Sequence, residues 1–108
     1  MIDLLENIFK ELSIECYYIS KEEEETEGDY IRYNFSSRDI KFSSNKVDKV
    51  EYTIYINYYI ADGTTLEKKK IDLVKKLREY KILRRGTDNT YHESTGYYNT
   101  SLSFKYYI

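Results

Sequence analysis

The sequence predicts a two-layer α+β sandwich in which two helices pack on one face of a mainly antiparallel sheet, in the order α-β-β-β-α-β-β. Three observations carry this. A chain of 108 residues, 41% hydrophobic and 33% charged, with no proline and four isolated glycines, is the size of one domain with one core, so residues 1–108 form a single unit. Two stretches repeat apolar residues at helical spacing. Two others alternate apolar and polar residues with period two, the mark of a strand buried on one side.

Each element follows in turn. Ile2, Leu5, Ile8, Phe9 and Leu12 recur every three or four positions with Asp3, Glu6, Lys10 and Glu11 between them, which predicts a short amphipathic helix ending at Ser13. Residues 14–19 are β-branched and aromatic over a strand's length. Residues 22–27 are acidic and reach Gly28-Asp29; carboxylates this dense repel one another, and an exposed connector is expected. Ile31, Tyr33 and Phe35 alternate with Tyr30, Arg32 and Asn34, giving a second strand over 29–36, and the serine-rich stretch 36–45 reads as a bent strand or a loop.

The clearest strand spans 47–60, with Val50, Tyr52, Ile54, Ile56, Tyr58 and Ile60 on one side and Glu51, Thr53, Tyr55, Asn57 and Tyr59 on the other. Asp62-Gly63 breaks it, and Thr64 followed by Glu67 matches a capping box that starts a helix over 66–80. Its inner stripe is Leu66, Lys70 by its stem, Leu73, Val74, Leu77 and Tyr80. Ile82 and Leu83 enter a further strand; Gly86, Asp88-Asn89 and Gly96 punctuate the connection to the last one, 97–108, where Tyr98, Thr100, Leu102, Phe104, Tyr106 and Ile108 share a face.

Chemistry is sparse. One cysteine and one histidine cannot form an internal disulfide or a Cys/His zinc site, and a reducing compartment is expected. No apolar run approaches the roughly 20 residues of a membrane helix, and the charged start gives no signal peptide, so no membrane partner is expected. His92 beside Tyr91, Glu93 and Ser94 superficially resembles an acid/base set, but catalytic partners normally come from distant segments, and a solvated loop histidine is the plainer reading. Cys16 reads as a small buried hydrophobe. The acidic run is contiguous, unlike the alternating ligands of a calcium loop, and no glycine-rich phosphate loop exists. No enzyme, metal or cofactor is expected.

Lys68-Lys69-Lys70, Lys75-Lys76 and Arg84-Arg85 are locally basic, yet a net charge of −2 argues against nucleic acid as a partner. Fourteen tyrosines remain to be accounted for. A/T-rich codon bias explains part of the count. If the even-numbered residues of 50–60 and 98–108 lie under the helices, Tyr30, Tyr55, Tyr59, Tyr97 and Tyr107 are left on the opposite face among Thr, Asn and Ser, a weakly charged aromatic surface of the kind found at the centre of protein contacts.

The N-terminal amphipathic helix, the long alternating strand ending at Asp62-Gly63, the helix at 66–80 and the closing hairpin together resemble the tail-terminator, or tail-completion, proteins of long-tailed bacteriophages and prophages. The resemblance covers nearly the whole chain and is one of element order, so it carries no functional residue onto a numbered position. It implies a non-enzymatic subunit of the virion tail, assembled in the bacterial cytoplasm, forming a homo-oligomeric ring that can be a hexamer and that binds the tail tube protein and the head-tail connector protein. The competing reading is a small α+β adaptor or regulatory protein of a mobile element that binds a protein or a nucleic acid.

Overall fold

A computed structural model describes residues 1–18, 28–41 and 47–108. The elements are α1 (Ile2–Glu11), β1 (Glu15–Tyr18), β2 (Tyr30–Lys41), β3 (Val47–Ile60), a 3-10 turn (Gly63–Thr65), α2 (Leu66–Glu79), β4 (Leu83–His92) and β5 (Tyr98–Tyr107). The strands form one sheet in the order β1-β2-β3-β5-β4. Every pairing is antiparallel except β1 with β2. The α+β class and the order of elements agree with the sequence reading.

Register explains which side chains meet. Ile31, Tyr33 and Phe35 of β2 stand opposite Tyr58, Ile56 and Ile54 of β3, which in turn face Thr100, Leu102 and Phe104 of β5. This inner face carries the core, joined by Leu5, Ile8 and Phe9 of α1, Leu66, Leu73 and Leu77 of α2, and Ile82. Phe9 meets the Tyr33 ring edge-on at 5.4 Å between centroids. Glu11 ties the helices together, accepting from the Tyr80 hydroxyl at 2.9 Å and pairing with Lys76 at 2.9 Å.

Both helices end the same way. Ser13 and Lys81 adopt left-handed φ of 58° and 65°. The next amides, Ile14 and Ile82, then donate back to Phe9 and Leu77 carbonyls, at 2.9 and 3.0 Å. That closes a Schellman motif at each C-terminus and turns the chain directly into β1 and β4.

The start of α2 departs from expectation. Thr64 does not cap it; the Asp62 carboxylate accepts from the Thr64 amide at 3.0 Å and the Thr64 hydroxyl at 2.7 Å, and Glu67 pairs with Lys70 instead. Asp62 wins because its carboxylate is the stronger acceptor at a helix start, and one 3-10 turn intervenes before Leu66. Another departure is β4, which runs through the stretch read as a connector. The stretch 36–45 is strand as far as Lys41, and its remainder, with the acidic run 22–27, lies outside the described residues.

Candidate functional site

The outer face of the sheet, away from the helices, holds all five tyrosines singled out from the sequence, but three of them are engaged within the monomer. Tyr30 and Tyr59 are directly paired across β2 and β3, and their rings stack at 4.6 Å with 10° between planes. Each is only 6% exposed. Tyr97 meets Tyr30 edge-on at 5.3 Å and donates to the Gly28 carbonyl at 3.1 Å, while the Arg32 guanidinium lies 5.2 Å from the Tyr59 ring centre. Aromatic stacking and cation–π attraction thus consume these rings inside the monomer. Burial raises the pKa of both stacked tyrosines, with Arg32 acting in the opposite sense. Tyr55 and Tyr107 do face solvent, at 47% and 44% exposure.

Toward the other end of the same face, Glu51 is 5% exposed and triply held. It accepts from Lys105 Nζ at 3.0 Å, the Tyr107 hydroxyl at 2.9 Å and Arg38 Nε at 2.9 Å. These donors, Lys105 first, lower its pKa to about 2. The Tyr107 ring is therefore exposed but fixed by its hydroxyl, an amphipathic group already ordered before any partner arrives.

The inner face offers a second surface that the alternation pattern did not flag. Its cover thins along the strands: Ile54 and Phe104 are fully buried, Tyr52 and Tyr106 half-buried, Ile108 67% exposed. Across this margin runs a row of rings, one from each of β1, β2, β3 and β5. Tyr18 lies 5.5 Å from Phe35, Phe35 6.0 Å from Tyr52, and Tyr52 6.4 Å from Tyr106. A signal for it was present in the element lengths. Helices of 10 and 14 residues reach about 15 and 21 Å, whereas a 14-residue strand reaches about 46 Å, so two short helices leave part of the long hairpin bare.

The residues weighed for catalysis are not assembled with one another. His92 is exposed at the end of β4, tilted against the Tyr98 ring at 4.5 Å, and Glu93 accepts instead from Asn99 at 3.2 Å. Cys16 is half-buried on the inner face, and burial pushes its thiol pKa up, away from the reactive thiolate. Among the described residues no group of three or more His, Cys, Asp or Glu could hold a metal, and no helix is long and apolar enough to cross a membrane. In α2, Lys69, Lys70 and Lys76 pair with Asp29, Asp88 and Glu11, so part of the basic run is neutralised within the fold. No protein-family model matches the chain, and no curated protein matches it either.

Proposed function

We propose that this chain is a structural assembly subunit, not an enzyme, that associates with copies of itself through the thinly covered margin of its sheet. The observation that carries the reading is the inner-face row Tyr18–Phe35–Tyr52–Tyr106, continued by exposed Ile108 and backed on the outer face by Tyr55 and Tyr107. Aromatic rings on a rigid sheet lose little conformational entropy when covered, and they are enriched at contact centres. Heterologous contact between such a margin and a different patch on the next copy closes into a ring when the rotation is right.

Element order extends the proposal to the tail terminator of a long-tailed phage or prophage: a ring seated on the tail tube and offering its far surface to the head-tail connector. Sedimentation velocity over a concentration series, repeated with purified tail tubes, tests it. A discrete closed oligomer, alone or on tubes, is the expected result. A chain that stays monomeric throughout and does not cosediment with tubes overturns it.

A further inference from the structure

The half of the outer face farthest from Tyr30 is sorted by charge. Register places Ser36, Thr53 and Lys105 in one row across β2, β3 and β5, with Asn34, Tyr55 and Ser103 on one side of it and Arg38, Glu51 and Tyr107 on the other. Lys49 follows Glu51 on the same face of β3, and Arg85 of β4 stands opposite Ser103. Among the described side chains of this half, four cations, Arg38, Lys49, Arg85 and Lys105, therefore share the surface with one carboxylate, Glu51. Glu15 and Glu93 lie at the Tyr30 end. The net charge of −2 conceals this sorting, because it sums a chain whose residues 22–27 alone contribute five carboxylates.

At the centre of the patch is a cleft of about 270 Å³ lined by Ser36, Ser37, Arg38, Glu51, Thr53 and Lys105. The groups it leaves free are donors. Glu51 already accepts from Lys105, Tyr107 and Arg38. Arg38 uses only Nε for this and is 73% exposed at its side chain, so the two terminal nitrogens of an anchored guanidinium remain for an incoming acceptor. The Thr53 hydroxyl accepts from Lys105, which leaves its own proton to give. Two cations against one carboxylate give the cleft a surplus positive charge, and a forked guanidinium beside an ammonium and hydroxyls is the donor set that phosphate oxygens take. An exposed ring flanks the cleft on each side, Tyr55 at 47% and Tyr107 at 44%, about 14 Å apart along the strands.

We infer that this patch binds single-stranded nucleic acid, with a backbone phosphate on Arg38 and Lys105 and bases stacked on Tyr55 and Tyr107. A single strand fits better than a duplex, because only unpaired bases can lay their faces on rings that stand on a sheet. It also fits better than an acidic peptide, whose carboxylates would satisfy the cations and leave both rings in water. The inner-face row proposed for assembly takes no part.

Fluorescence anisotropy of a labelled oligothymidylate, titrated with the full chain over a series of salt concentrations, tests it. Saturable binding is expected, with log affinity falling against log salt by about 0.7 for each phosphate engaged. Lys49 and Arg85 are exposed and make no hydrogen bond or ion pair with a described residue, so Lys49→Gln and Arg85→Gln keep the fold, and each should flatten the slope by about 0.7. Tyr55→Thr should weaken binding about tenfold and leave the slope unchanged, the mark of lost stacking and not of lost charge. The same strand annealed to its complement should bind more weakly, and polyglutamate at equal charge should not displace it. Absence of saturable binding, equal binding of the duplex, or an unaffected Tyr55→Thr variant overturns the inference, and displacement by polyglutamate overturns it in favour of an acidic protein. None of these outcomes depends on a closed oligomer.

Discussion

The Glu51 carboxylate accepts from Lys105 Nζ at 3.0 Å across the β3–β5 pair, on the face the helices do not cover. Because its donors lower the Glu51 pKa from 4.5 to about 2, the folded chain releases this proton more readily than the unfolded one. The stabilisation is complete above pH 4.5 and is lost as the pH falls toward about 2. Urea midpoints measured over this window should drop for the natural chain and drop less steeply for Glu51→Gln. Parallel curves would remove Glu51 from the acid response.

Asp62 and Thr64 separate two accounts of how α2 begins. With Asp62 as the acceptor, Asp62→Ala should cost about 1 kcal/mol in denaturant unfolding, within the 0.5–2 range of lost caps. Glu67 is 73% exposed at its side chain and pairs only at the surface with Lys70, so Glu67→Ala should change stability by less than about 0.5 kcal/mol. A true capping box would make the Glu67 change comparable to the cap itself.

Lys81 holds a left-handed φ of 65° at the Schellman position after α2, where its Cβ is unfavourable. Lys81→Gly should therefore raise stability, by about 0.5–1 kcal/mol in thermal or denaturant unfolding. Lys81→Val should lower it. The opposite ranking would show that the turn after α2 is not under this constraint.

Charge placed on the thin margin tests assembly without touching the core. Ile108→Glu alters a side chain that is 67% accessible, so folding by circular dichroism should be unchanged while sedimentation shifts to smaller species. Tyr59→Leu makes the contrast, since that ring is buried against Tyr30. It should lower stability and leave association unchanged in whatever fraction stays folded. Unaltered assembly in the glutamate variant would place the contact elsewhere.

The inner and outer faces of β3 and β5 were legible because burial on one side writes period two directly into the sequence, as Ile54, Ile56, Leu102 and Phe104 show. β4 was not. It lies at the sheet edge, its residues are almost all exposed, and a register shift between Arg85 and Asn89 resets any alternation. The stacking of Tyr30 on Tyr59 was equally hidden, because it depends on two strands meeting at one register, which neither strand's own pattern specifies.

The same shift in β4 has a further effect. Four steps along β4, from Arg85 to Asn89, match two along β5, from Ser103 to Ser101, and Asp88 in the excess segment reaches Lys70 of α2 at 2.8 Å. An approaching strand would find this border interrupted midway, with too short a straight run on either side to zip along. This border of the sheet is in this way guarded against open-ended edge-to-edge stacking into fibres.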